Sequence, residues 1–203
     1  MCPKMAFPRH STLDTPPPTD MDDPIIDLQS DHYFMGEALC QAARAYEAEE
    51  VPVGAVVVRE GRIIGRAFNQ VEMLKDATAH AEMLALTQAE EAAGDWRLTD
   101  CTLYVTKEPC PMCAGAMVHV RLARLVFGAS DPKAGAAGSA LNLLQFPTLN
   151  HQCQITGGVR EAECRALLQK FFAEQRAEQK PEVGDQGSEN GNGGPMQSSV
   201  SGL

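Results

Sequence analysis

The sequence predicts an α/β protein, a three-layer sandwich with a mixed, five-stranded sheet and helices on both faces. Two observations lead there. Short runs rich in β-branched residues alternate with longer segments of helical apolar spacing. Two of the helical segments each stand between two strands, which implies right-handed parallel crossovers.

The elements follow in order. From His32 to Ala48, the residues Phe34, Ala38, Leu39, Ala42, Ala45 and Tyr46 keep helical spacing. Val51 to Val58 is a strand, Glu60-Gly61 a turn, and Arg62 to Phe68 the returning strand of a hairpin. Asn69 ends that strand, and a polar loop runs on to Ala77. Thr78 has the chemistry of a helix cap, with a second helix from about Ala79 to Ala93 closed by Gly94. Leu103 to Thr106 is the third strand. A third helix begins at Pro111, a residue suited to a first helical position because its missing N–H is an orphan there anyway. Arg124 to Gly128 is the fourth strand. A short helix over Ser139–Leu144, a fifth strand over Gln152–Ile155 and an amphipathic helix from about Val159 to Ala177 complete the unit.

Composition divides the chain into a disordered leader over 1–31, one domain over 32–177 and a disordered tail over 178–203. Internal methionines at Met5 and Met21 leave room for a later start. The net charge is −10, made of −4 in residues 1–31, −3 in 32–173 and −3 in 174–203. The central domain is therefore only mildly acidic. It offers no basic face, so any RNA contact must rest on local residues. Seven cysteines cannot all pair within one chain. With no secretory signal and no apolar run near the roughly 18 residues of a membrane span, the expectation is a cytoplasmic protein with free thiols and no membrane partner.

The chemistry lies in two short stretches. Cys110 and Cys113 stand three apart at the start of a helix, so both thiols leave one face. A helix N-terminus also favours thiolate over thiol. Cys-x-x-Cys alone is ambiguous between structural zinc and redox chemistry. His80 adds a nitrogen ligand in Thr78-Ala79-His80-Ala81-Glu82. Three protein ligands leave a fourth tetrahedral position, the pattern of catalytic zinc. Zinc lowers the pKa of a bound water to roughly 7, and a nearby carboxylate is then needed to move protons. Glu82 is that candidate. Residues at i and i+2 do not face each other on a regular helix, so His80 and Glu82 can share one metal only at a helix end.

His-x-Glu followed by Pro-Cys-x-x-Cys is the signature of zinc nucleoside and nucleobase deaminases, the cytidine deaminase-like superfamily. The runs Val51–Val58, Asn69, Ala79–Glu82, Leu103–Met117, Phe127–Ser139 and Asn150-His151 resemble the bacterial tRNA-specific adenosine deaminases over about residues 32 to 173. The resemblance implies hydrolytic deamination of the wobble adenosine of a tRNA anticodon loop to inosine, by a homodimer with one zinc per chain and no nucleotide cofactor. Carried over by motif, His80, Cys110 and Cys113 hold zinc and Glu82 shuttles protons between water, N1 and the leaving amine. Asn69 matches the residue that bonds the adenine, and Asp131 and Lys133 match the loop that contacts neighbouring nucleotides. The alternatives are a deaminase of a free purine such as guanine and a non-catalytic, zinc-stabilised RNA-binding subunit.

Simpler readings stand beside these. Asn69 could merely end a strand, Asp131-Pro132 could be an ordinary turn and Lys133 a solvated charge. Cys40, Cys101, Cys153 and Cys164 read as small buried hydrophobes. Phe171 and Phe172 read as core, the Gly-Ala-Ala-Gly run as close packing, and Glu47, Glu49 and Glu50 as a solvated face. The chain departs from the family at Ala77, where proline is usual, at Ser130, often basic, and in a last helix poor in Arg and Lys. Fewer phosphate partners imply weaker, less salt-dependent RNA binding.

Overall fold

The computed structural model describes residues 27–178. The leader and tail therefore lie, apart from residues 27–31 and 178, outside the described residues. Within the described part the order is α1 (Asp31–Glu47), β1 (Gly54–Arg59), β2 (Arg62–Phe68), α2 (Val71–Leu74), α3 (Ala81–Ala93), β3 (Cys101–Lys107), α4 (Pro111–His119), β4 (Arg124–Ala129), β5 (Gln154–Thr156) and α5 (Glu161–Glu178).

The sheet order is β2-β1-β3-β4-β5. β1 runs antiparallel to both β2 and β3, while β3–β4 and β4–β5 are parallel. The helices α3 and α4 each connect parallel strands, as the alternation implied. Glu60 and Gly61 both have positive φ, which matches a two-residue hairpin turn to the twist of its strands.

Alternate residues of the central strands feed two cores. Ala55, Val57, Leu103, Val105, Leu125 and Phe127 pack with α3 and α4 residues such as Leu86 and Met117. Val56, Val58, Tyr104 and Val126 pack on the other face with Phe34 and Met35 of α1 and Cys164 of α5. A strand covered on both faces reads as a continuous apolar run, as β1 does. The three layers are thus observed. Gly54 is required where α1 crosses β1, since a Cβ there would collide with the backbone of Ala38 and Ala42. Asp31 ties the start of α1 to the sheet: it accepts from Arg124 at 2.8 and 2.7 Å and from the Tyr104 hydroxyl at 2.9 Å.

Several local expectations fail, among them the burial of Cys40, which is only half-buried. Ser139–Leu144 forms no helix; Ala137 bridges Asn142, and Gly138 N–H and Leu143 N–H bond across the loop to Leu141 and Ala136 carbonyls. Phe171 is buried but Phe172 is 42% exposed. Glu50, placed on a solvated face, is 1% exposed. The chain leaves α1 before it: Glu49 has a φ of 60°, and the turn swings Glu50 inward. Among the described residues no helix is long and apolar enough to cross a membrane.

Candidate functional site

The site forms where α3 and α4 begin. Thr78 does not cap α3. Its N–H and hydroxyl both donate to Asp76 Oδ1, at 2.8 and 2.7 Å, which closes a tight turn. The N-cap position falls instead on His80, in extended conformation with φ −69° and ψ 151°. His80 therefore stands outside the helix, and the facing problem between His80 and Glu82 does not arise. Cys110 is likewise the N-cap of α4, with Pro111 as its first helical residue.

His80 Nδ1 lies 3.7 Å from Cys110 Sγ and 3.5 Å from Cys113 Sγ, and the two sulfurs are 3.7 Å apart. A tetrahedral zinc with Zn–S of about 2.3 Å and Zn–N of about 2.0 Å would set the S···N separations at about 3.5 Å and the S···S separation at about 3.8 Å. The three donors thus fit a small tetrahedral ion of borderline softness. Electrostatics agree. Without a cation, donation from the Cys113 thiol and then the His80 ring pulls Cys110 down to about 3. Cys113 is driven far up, first by its bond to Cys110 and then by burial. The bond to Cys110 also raises His80. A divalent cation would favour both thiolates at once.

Glu82 is buried beside the cluster, at 4% exposure. Burial raises its carboxyl above the usual range, against the opposing pull of hydrogen bonding and of His80. A carboxyl buried beside the cluster and facing the cavity is placed to exchange protons with a ligand there.

These groups open into a cavity of about 360 Å³ lined by Asn69, His80, Glu82 and Cys110, with Glu50 and Phe172 among its walls. The volume suits one nucleobase-sized ligand. Asn69 is 7% exposed and donates through Nδ2 to Glu50 Oε2 at 3.0 Å.

Asp131 and Lys133 do not line this cavity. The Asp131 carboxylate turns inward, to Lys107 Nζ and to the N–H groups of Lys133 and Ala134 at 3.0 and 3.2 Å. The Lys133 side chain is exposed on the same loop. The loop is built around a residue to which sequence reasoning gave no role. Glu108, 2% exposed, accepts from the N–H groups of Asp131, Ala137 and Ser139 at 2.9, 3.0 and 3.0 Å and from the Ser139 hydroxyl. Burial alone would raise its carboxyl, but these donors bring it below the usual range. Its place directly before Pro109-Cys110 was the only available signal. Gly135 lies against the Glu108 carboxyl, so close packing holds at that end of the Gly-Ala-Ala-Gly run; Gly138 at the other end is exposed, with a φ of 134° and nothing packed against it.

A family model described as MafB19-like deaminase matches residues 29–176. The tRNA-specific adenosine deaminase of Bacillus subtilis (strain 168) is 50% identical over 153 residues, covering 75% of this chain and 95% of that one. A structure solved in studies of A-to-I editing by tRNA:A34 deaminases at the wobble position of transfer RNA is 45% identical. It has a TM-score of 0.65 and covers 67% of this chain and 99% of its own. The guanine deaminase of Nitrosomonas europaea is 25% identical with a TM-score of 0.63, over 71% of this chain and 85% of its own.

Proposed function

We propose that this chain, which belongs to the MafB19-like deaminase family and to the tRNA-specific adenosine deaminases, converts adenosine to inosine at the wobble position of a tRNA anticodon. The reaction is hydrolytic. A C6–O bond forms, the C6–N6 bond breaks, and water becomes the inosine oxygen as N6 leaves as ammonia. The 50% identity to a tRNA-specific adenosine deaminase carries the reading, joined to a His–Cys–Cys cluster beside a buried carboxylate.

His80, Cys110 and Cys113 would hold one zinc ion. When bound, it supplies a Lewis acid that makes water nucleophilic at neutral pH. Glu82 would take one proton from the attacking water and deliver it to N1 of the adenine, then take the second from the hydroxyl formed at C6 and hand it to N6 as the amine departs. Asn69 bonds the base and fixes the face it presents. The cavity holds a single base, so the target adenosine must be splayed out of its stack, which an anticodon loop permits more cheaply than a duplex. Lys133, exposed on the outer loop, takes a neighbouring nucleotide, and Asp131, its carboxylate turned inward, serves that contact by shaping the loop. The deaminase unit is residues 32–177, and its location is the cytoplasm, where its substrate is found. We also infer a homodimer, which sedimentation at twice the 21.9 kDa chain mass would bear out.

The test is a deamination assay of purified protein on an anticodon stem-loop with adenosine at the wobble position, with free adenosine and free guanine alongside. Inosine in the stem-loop alone is the expected result. Turnover of guanine without the RNA would favour the second reading, a free-purine deaminase, for which the 25% identical guanine deaminase fold is the supporting observation.

A further inference from the structure

Glu50 is one of three buried carboxylates on the cavity, with Glu82 and Glu108, and the deamination chemistry and the outer loop leave it unused. It lies 1% exposed at the end of the turn after α1. Both of its oxygens are engaged. Oε1 accepts from the Met73 N–H at 2.6 Å and Oε2 from Asn69 Nδ2 at 3.0 Å. Met73 belongs to α2, the short helix at the edge of the cavity, and Asn69 directly follows β2 on the cavity wall.

We propose that Glu50 is a positioning residue for base recognition, acting through Asn69; this rests on the reading that Asn69 bonds the adenine. An Asn amide has a donor end and an acceptor end of nearly identical shape, and its partners decide which way it points. A flipped Asn69 would set its carbonyl oxygen against Glu50 Oε2, two acceptors at hydrogen-bond distance. Glu50 therefore allows one orientation only. That orientation spends one Nδ2 hydrogen on Glu50 and leaves the other hydrogen and Oδ1 for a ligand. A donor and an acceptor side by side match the N7 acceptor and N6 amine of adenine, but not guanine, whose N7 and O6 both accept. The Met73 bond holds the carboxylate itself in place, because an oxygen already committed to a backbone N–H cannot swing to follow a flipped amide. No sequence pattern carries this: the bond spans 19 residues and depends on the turn that buries Glu50.

The test is a double-mutant cycle on the full-length, zinc-loaded protein, with the anticodon stem-loop as substrate. Glu50→Gln is nearly isosteric, yet it can donate as well as accept, which removes the ban on the flipped amide. We expect it to lower kcat at least tenfold and to leave KM for the stem-loop within twofold. In this reading the RNA backbone is held outside the cavity, which the substitution leaves untouched, whereas a misplaced base loses reacting geometry. Zinc content should stay near one per chain. Asn69→Ala alone should cost at least tenfold, and adding Glu50→Gln to it should cost less than twofold more. Independent, additive losses would overturn the proposal while leaving Asn69 as the base contact. An inert Asn69→Ala would instead remove the reading on which the proposal rests. Should Glu50→Gln melt below the assay temperature, Glu50→Asp serves in the same cycle, since its shorter carboxylate cannot reach both donors. The same lack of additivity is expected, and additivity would again be contrary.

Discussion

Ala137 donates its N–H to Glu108 Oε1 at 3.0 Å, across 29 residues of sequence. With the bonds from Asp131 and Ser139 it fastens the loop 131–139 to the segment that leads into Cys110. The metal half-site and the outer loop therefore share one buried anchor, and losing it should be felt in both.

Glu108→Ala removes the acceptor and strands up to four donors, three of them backbone N–H groups. Each unsatisfied buried donor costs about 1–3 kcal/mol, softened where water can enter, so a net loss of about 2–4 kcal/mol is expected. For a domain of this size that lowers the melting temperature by roughly 5–15 °C. Hydrogen exchange should quicken at Ala137 and Ser139 ahead of the sheet. Unchanged exchange in the loop would deny Glu108 its anchoring role.

Gly135→Ala should act through the same contact from the other side. The new Cβ would stand 2.6 Å from the Asp131 carbonyl oxygen and would collide with the Glu108 carboxyl. Backbone and a buried, fully bonded side chain cannot both give way. The expected cost is about 1–3 kcal/mol, read by chemical denaturation.

The Asp31–Arg124 pair gives a pH signature. Hydrogen bonding from Arg124, then from Tyr104, holds the Asp31 carboxyl below its usual value despite partial burial. A carboxyl lowered on folding contributes stability above its unfolded pKa and loses it as pH falls through the folded one. Asp31→Asn should therefore destabilise the protein by about 1 kcal/mol at pH 7, a modest figure because the pair is about 30% exposed. The gap between wild type and variant should close on acidification below about pH 4. A gap that did not narrow on acidification would point to packing rather than charge.

Metal removal has a defined outcome. A chelator strong enough to strip zinc, or the substitution His80→Ala, should abolish deamination together with bound metal. Readdition of zinc should restore the chelated wild type but not the variant. A His80→Ala protein that kept its zinc would move the third ligand elsewhere.

The His80–Cys110–Cys113 cluster was legible half by half, because each half is local: Cys110, Pro111 and Cys113 lie within one turn, and His80 and Glu82 within three residues. That the halves meet, 30 residues apart, was carried by the resemblance and not by spacing. The sheet was legible for a similar reason: β1 is an unbroken apolar run and Glu60-Gly61 a two-residue turn. Glu50 and Glu108 were not legible, because a buried carboxylate is recognised by its donors, and those lie 19 to 31 residues away. The helix expected over Ser139–Leu144 failed for the same reason. The Leu143 N–H, which a helix would pair with the Ser139 carbonyl, is spent on the Ala136 carbonyl, and Ala137 bridges Asn142. Phe172 shares its apolar character with Phe171, yet α5 turns one to the core and the other to the cavity wall.

The most direct test of the central claim is zinc content and turnover measured together on Glu82→Ala. Glu82 moves protons and holds no metal in this account. The variant should keep close to one zinc per chain and a wild-type fold while deamination of the stem-loop falls at least a thousandfold, near the upper range for loss of a general acid–base group. Loss of zinc along with activity, or activity that survives the substitution, would contradict it.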